Sequence, residues 1–440
     1  MKKVVISTDK STGRIKPLHG VGGGPVTNIF TGDATKYFRE AGIPFSRTHD
    51  IEYPFGAGEF VDIHCVFPDF RQDENDPSNY NFVMTDAYLQ SIANAGTEVF
   101  YRLGSSIEHQ PIKRYIMPPA DFEKWARVCS HIIAHYNEGW GNGYHMGIRY
   151  WEMWNEPDLE NRCWTGTYEQ MFELYDITAR IVKSEHPDVK FGGLAFTSPA
   201  APMADAWLAH LKKSGAPVDF FSWHGYIHTP EEVKALTDQA EALLAKHGFG
   251  HLESIYDEWN YVVNWTDKCT ASIKMHKSAL CAALNAAVLS ELQASRTDLA
   301  MYYDVQVDVM AWNGFFTRLP MKAHGEPVGI AAERPYYAFY AWNKLYRLGN
   351  AVSAVCEGGN LYASAACADG KLRAIVSHYN DDAGLGGSKP APETVVFSTP
   401  AFGAARAFVC DDTHVYDETP FDGRSLLMDG NSFALLEWDL

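Results

Sequence analysis

The sequence predicts an α/β fold, a (β/α)8 TIM barrel joined to a second, smaller antiparallel β-sandwich domain. Three observations predict it. The chain has 440 residues, too many for one ordinary core but enough for a barrel of about 250 residues plus a smaller unit. Eight short apolar runs alternate with helical stretches across residues 17–349. After Gly349 the runs become short and alternating, split by Gly, Asn and Asp turns.

In chain order, residues 1–16 contain VVIST, a strand that precedes the barrel and is expected to join the sandwich. The barrel strands are read as PLHGVGG, PFSRTHDI, EVFYRLG, YWEMWNEP, KFGGLAF, DFFSWHGY, SIYDEWN and AMYYDVQ. Most are continuously apolar and end in polar residues, as strands covered on both faces should be. Between them, Thr167 with Gln170 and Thr229 with Glu232 form capping boxes, and Pro230 occupies a first helical position. The stretch from His276 to Ser295 is rich in Ala and Leu and reads as a helix packed on a sheet. Pro335 opens another helix, with Tyr336, Phe339, Trp342 and Tyr346 on one face. Residues 350–440 form the sandwich, and DDAGLGGSKPAPE within them reads as an exposed hairpin connection.

Composition narrows the function. Apolar residues make up 46% and charged residues 21%, values of a globular protein. A net charge of −18 disfavours nucleic acid and anionic membranes as partners and leaves a neutral glycoside or oligosaccharide open. No apolar run is long enough for a membrane span. Two N-terminal lysines lack an apolar stretch behind them, so a cytoplasmic location is expected. Eight scattered cysteines without a CxxC pair read as free thiols.

Functional residues of a barrel gather at the C-terminal strand ends. Those ends supply Arg47, His49 and Asp50; Asn155 and Glu156; His224 and Tyr226; Asp257, Glu258 and Asn260; Tyr303 and Asp304. Two glutamates stand out, Glu156 ending strand four and Glu258 ending strand seven, each with tryptophans nearby. Paired carboxyls beside aromatic walls suit glycoside hydrolysis, in which one carboxyl stays protonated and the other ionised. Trp151 and Trp154 are expected to form the dry wall that keeps Glu156 protonated. A metal site built from His49, His64, His224 and His228 with Asp50 has no HxH or HExxH spacing to support it, and neither metal nor cofactor is expected.

WNEP at 154–157 with DEWN at 257–260 resembles the retaining glycosidases built on barrels with catalytic glutamates on strands four and seven. Within that clan, SRTHD at 46–50 and WHGY at 223–226 are similar to segments of glycoside hydrolase family 39, the β-xylosidase and α-L-iduronidase family. The resemblance implies Glu156 as general acid/base and Glu258 as nucleophile. It implies Asn155 as partner of the sugar 2-hydroxyl, Tyr226 and Arg47 as donors holding Glu258 ionised, and His49 and His224 as contacts to sugar hydroxyls or to the glutamates. The family's xylosidases carry a Trp-Thr-Phe-Ser-Asp-like strand eight. Here the region reads MYYDVQVDVMAWNGFF, so Tyr303, Asp304 and Trp312 must shape that wall of the substrate site differently. A β-xylosidase-like enzyme is the single best expectation. Other expectations are a same-clan enzyme for galactosides, glucosides, arabinosides or iduronides, or a sugar-binding protein without turnover. The retaining chemistry predicts carboxyls about 5–5.5 Å apart.

Overall fold

Each of the eight apolar runs forms a strand. The computed structural model describes residues 2–26, 32–51, 59–307, 311–319, 329–400 and 403–440. Strand β1 (Lys2–Arg14) is followed by β2 (Gly20–Gly22), β3 (Phe45–Arg47), β4 (Glu98–Leu103), β5 (Tyr150–Met153), β6 (Lys190–Phe196), β7 (Phe220–His224), β8 (Glu253–Trp259) and β9 (Leu299–Tyr302). The last eight close into a parallel barrel, with β2 pairing β9. The capping boxes at Thr167 and Thr229 open the helices Tyr168–Glu185 and Pro230–His247. Among the described residues, no helix is long and apolar enough to cross a membrane.

The pleat explains the site. Phe45, Phe100, Tyr150, Phe220, Ile255, Leu299 and Met301 form one apolar cluster that plugs the barrel. Side chains two residues further along a strand point to the same face. Arg47, Arg102, Glu152, Ser222 and Asp257 therefore form the next layer up, and all of them are buried. Polar chemistry begins one residue pair above the plug.

The remaining strands are the hairpin β10 (Phe316–Arg318) and β11 (Ile330–Ala332), then β12 (Asn350–Glu357), β13 (Leu361–Ala368), β14 (Lys371–His378), β15 (Glu393–Ser398), β16 (Ala405–Cys410), β17 (Val415–Thr419), β18 (Ser425–Met428) and β19 (Ser432–Asp439). The second domain is one sheet, in the order β17-β16-β19-β14-β13-β12-β1-β15-β18. Its pairs are antiparallel except β1 with β15. The sheet folds over its own apolar face: Phe397 on β15 lies 6.1 Å from Trp438 on β19, ring to ring, although these strands are not neighbours. Strand β14 shows the two-sided logic. Leu372, Ala374 and Val376 enter this inner core, whereas Ile375 joins the barrel-side core. The barrel face of the sheet covers the helices Ala279–Ala294 and Arg334–Leu348. Ser377 Oγ donates to the Ala283 carbonyl at 2.7 Å, and Arg373 Nη1 to the Lys344 carbonyl at 3.0 Å.

One expectation is corrected. The stretch beginning at Asp381 is not a free hairpin connection but docks on the barrel. Asp381 is fully buried and accepts a 2.6 Å hydrogen bond from the Tyr261 hydroxyl, while Leu385 N–H donates to that hydroxyl at 2.7 Å. Burial of Asp381 and the hydrogen bonds of Asp381 and Leu385 to Tyr261 outweigh the Gly-rich composition, which signals a turn but not what the turn meets.

Candidate active site

A β-bulge builds the acidic end of β8. Trp223 pairs with Tyr256, but His224 pairs with Glu258, so one extra residue is accommodated on β8. Two consecutive acids, Asp257 and Glu258, thereby approach the same buried guanidinium, which regular alternation would forbid. Just past the end of the fourth barrel strand, Glu156 has φ +45° and Trp154 φ +68°. Left-handed backbone at non-glycine residues is uncommon and clusters where a site holds its geometry against local preference.

Arg47 is the hub. Its Nε lies 2.7 Å from Glu152 Oε2 and 3.1 Å from Asp257 Oδ2. Its Nη1 lies 3.0 Å from Glu258 Oε2, and its Nη2 donates to Asn155 Oδ1 at 2.7 Å. Tyr226 donates to Glu258 Oε1 at 2.5 Å. His224 Nδ1 stands 2.8 Å from Glu156 Oε1 and 3.8 Å from Glu258 Oε2. One oxygen of Glu156, one of Glu258 and one ring nitrogen of His224 all lie within 4.8 Å of one another.

The two glutamates sit in different electrostatic settings. Burial, followed by the negative charge of Asp158, raises the Glu156 pKa to about 8. Burial, with the nearby Glu156 carboxyl, also raises Glu258, but Arg47 and the Tyr226 hydroxyl pull against it. Glu156 has a neutral imidazole as its partner, because burial lowers His224 to about 4. Glu258 has a guanidinium and a phenol. The arrangement therefore favours a protonated Glu156 beside an ionisable Glu258.

The wall opposite is also defined. Tyr303 donates to Asp50 Oδ2 at 3.0 Å, and His49 Nε2 is 3.3 Å from the same oxygen. Trp312 is half-buried, with its ring 5.5 Å from Tyr226 and 5.7 Å from Trp265. Trp265, 58% exposed, forms an open aromatic corner with them.

The structure thus brings Arg47, Asn155, Tyr226 and Glu258 into one hydrogen-bonded set and the Glu156–His224 pair to within 3.8 Å of it, with His49, Tyr303 and Trp312 around them. The expected tryptophan wall is corrected. Trp151 stacks on Tyr101 at 4.9 Å, and Trp154 packs against Trp125 and Trp164 at 5.9 and 5.0 Å. Alternation sends Trp151 to the outer face of β5 while Glu152 points inward. Glu152 and Asp50 are the members that sequence reasoning undervalued. The signal for Glu152 was available: it lies two residues beyond Tyr150 of the plug. The four histidines do not share a site, since His64 stacks on Tyr115 at 3.5 Å and His228 pairs with Glu232 at 3.0 Å. Among the described residues, two groups of His and carboxylate atoms are spaced for a cation. In Glu59–Asp62–His64, Asp62 is already engaged by Arg102 at 2.5 Å. In Glu156–His224–Glu258, Arg47 stands 3.0 Å from Glu258 and opposes a second cation.

The family model described as Glycosyl hydrolases family 39 matches residues 2–308. A β-xylosidase of Geobacillus stearothermophilus is 28% identical over 279 residues, covering 55% of this chain and 52% of that protein. A β-xylosidase of Caldicellulosiruptor saccharolyticus is 30% identical over 173 residues, 36% of this chain and 33% of that protein. The chain thus spans about half the length of the first of these relatives and a third of the second. Among solved structures, a glucosidase from Croceicoccus marinus superposes with a TM-score of 0.79 at 21% identity, covering 100% of this chain and 99% of that one. A family 39 β-xylosidase from Caulobacter crescentus gives 0.68 at 18% identity, covering 99% of each. These two likenesses establish the fold.

Proposed function

For a chain that belongs to glycosyl hydrolase family 39, we propose a retaining glycoside hydrolase acting by double displacement, with β-xylosides as the best single substrate class. The observation that carries the reading is the approach of the Glu156 and Glu258 oxygens within 4.8 Å. An inverting enzyme needs room for a water between its carboxyls, about 6.5–9.5 Å.

Glu156, kept protonated by burial, gives its proton to the glycosidic oxygen as that bond breaks. Glu258 attacks the anomeric carbon and forms a glycosyl ester. Glu156, now a carboxylate, takes a proton from water, and the water oxygen displaces Glu258. In the tautomer protonated on Nδ1, His224 donates to Glu156 Oε1 and leaves Oε2 to carry the transferred proton. Asn155, fixed by Arg47, presents its amide to the sugar 2-hydroxyl, a bond that strengthens as positive charge grows on the ring. The β-xylosidases matched over part of the chain support the substrate class. A β-glucoside is the second reading, because Tyr303, Asp304 and Trp312 depart from the xylosidase pattern.

The test is a screen of p-nitrophenyl xyloside, glucoside, galactoside, arabinoside and iduronide, with Glu258→Ala as control and proton NMR of the first-formed sugar anomer. Retention with loss of turnover in the variant is expected. An inverted product, or full activity in Glu258→Ala, would sink the reading.

A further inference from the structure

Arg47 has more carboxyl neighbours than one guanidinium can neutralise. Glu152, Asp257 and Glu258 all approach it within 3.1 Å, and the side chains of Glu152 and Asp257 are completely buried. Three ionised carboxylates against one cation would leave uncompensated charge in a buried layer, which is strongly unfavourable. His224 adds no positive charge, since burial keeps it neutral; its Nε2 lies 3.6 Å from Asp257 Oδ1. Arg102, the other cation of this layer, is held by Asp62.

Glu152 Oε2 and Asp257 Oδ2 crowd the same Arg47 Nε, at 2.7 and 3.1 Å, and two buried carboxyls that share one N–H are least unfavourable if one holds a proton. The surroundings decide which. Arg47 Nε donates to Glu152, and the Ser222 hydroxyl also favours ionised Glu152. Among the described residues, no donor reaches either oxygen of Asp257 with hydrogen-bond geometry. We propose that Asp257 is a neutral carboxylic acid that donates its proton to Glu152, and that the pair acts as a single-charge counter-ion positioning Arg47 beneath Glu258. The two groups are driven apart in the same sense: burial and the charge of Glu152 push Asp257 well above the usual carboxylate range, whereas Arg47 and hydrogen bonds hold Glu152 below it against the effect of burial.

The consequence reaches the nucleophile. One negative charge on the pair balances Arg47 Nε and leaves Nη1 to hold Glu258. An ionised Asp257, adjacent in sequence to Glu258, would push that carboxyl towards its protonated, non-nucleophilic form. Asp257 and Glu152 are positioning residues in this scheme. The groups facing Asp257 are Arg47 from β3, Glu152 from β5, His224 from β7 and Glu258 on its own strand.

The kinetic part rests on the glycosidase reading; the protonation state does not. Infrared spectra of protein labelled with 13C-aspartate test it directly. Expected is a protonated-carboxyl C=O band at neutral pH that shifts with the label and is absent from Asp257→Asn. No such band in the labelled wild type overturns the proposal, whether or not the variant folds. In kinetics, Asp257→Ala lowers kcat/KM about tenfold or more and moves the acid limb of the pH profile upward, because Glu152 then draws Arg47 away from Glu258. Asp257→Asn, which restores a neutral donor, recovers part of that loss with the acid limb near its wild-type place. A limb displaced downward by about one unit or more in Asp257→Asn would reveal that a true negative charge had been removed and would overturn the proposal. Failure of the glycosidase reading would instead appear as no glycoside turnover by the wild type, with the infrared band unaffected.

Discussion

The Tyr226 hydroxyl donates to Glu258 Oε1 across 2.5 Å, on the carboxyl oxygen that Arg47 does not touch. The two donors divide the carboxylate between them and oppose the effect of burial on its pKa. Tyr226→Phe should therefore raise the Glu258 pKa. The acid limb of kcat/KM should move up in pH, and kcat/KM at neutral pH should fall by about 10–100-fold. A pH profile with p-nitrophenyl xyloside, or whichever glycoside is turned over, checks both.

Glu156 predicts the opposite limb. Its pKa of about 8 means that the free enzyme loses its acid as pH rises past that value, so kcat/KM should decline on the alkaline side near pH 8. In Glu156→Gln that limb should vanish. Turnover of poor leaving groups should drop by about 10²–10⁴-fold, with a smaller loss for dinitrophenyl glycosides, which need little protonation.

The same residue carries a stability cost of definite sign. A glutamate in the unfolded chain ionises near 4.5, whereas the folded Glu156 holds its proton to about 8. Between these values the unfolded state binds fewer protons, so stability falls as pH rises through the window and levels off above it. Glu156→Gln should be more stable than the parent above pH 8, by roughly 1–3 kcal/mol. Urea melts at acid and alkaline pH check this; the difference should shrink at the acid end.

Asp381 and Tyr261 tie the sheet domain to the loop beyond the nucleophile. Tyr261→Phe leaves the buried Asp381 carboxylate one donor short and deprives the Leu385 N–H of its acceptor. A loss of about 1–3 kcal/mol is expected. Hydrogen exchange should rise most in residues 261–268 and 381–388.

The eight barrel strands were legible because a strand covered on both faces is written as an unbroken apolar run, and the two glutamates because each terminates one. The reach of Arg47 was half legible. Its place two residues above Phe45 follows from the pleat, but its three carboxyl partners come from two other strands, β5 and β8, and only closure of the barrel brings them to it. The bulge at Asp257–Glu258 left no mark in the sequence, since alternation alone would have sent these neighbours to opposite faces. The packing of Trp151 and Trp154 was misread because Trp151 falls on the outer side of β5 by alternation, while Trp154 lies past the strand end, where its φ of +68° breaks the alternation. The docking of residues 381–388 depends on a surface supplied 120 residues earlier, which no local pattern reports.

Strand β1 pairs with β12 along most of its length and with β15 on its other edge, yet the whole barrel lies between them in the chain. On a ribosome this strand emerges before either partner has been made. The sheet can therefore close only after the barrel and the residues beyond 393 have been synthesised. Until then an unpaired strand carrying Val4 and Ile6 stays open to the wrong neighbour. The order of synthesis makes the sheet domain the last part to assemble, and the aggregation hazard of this chain is set at its beginning.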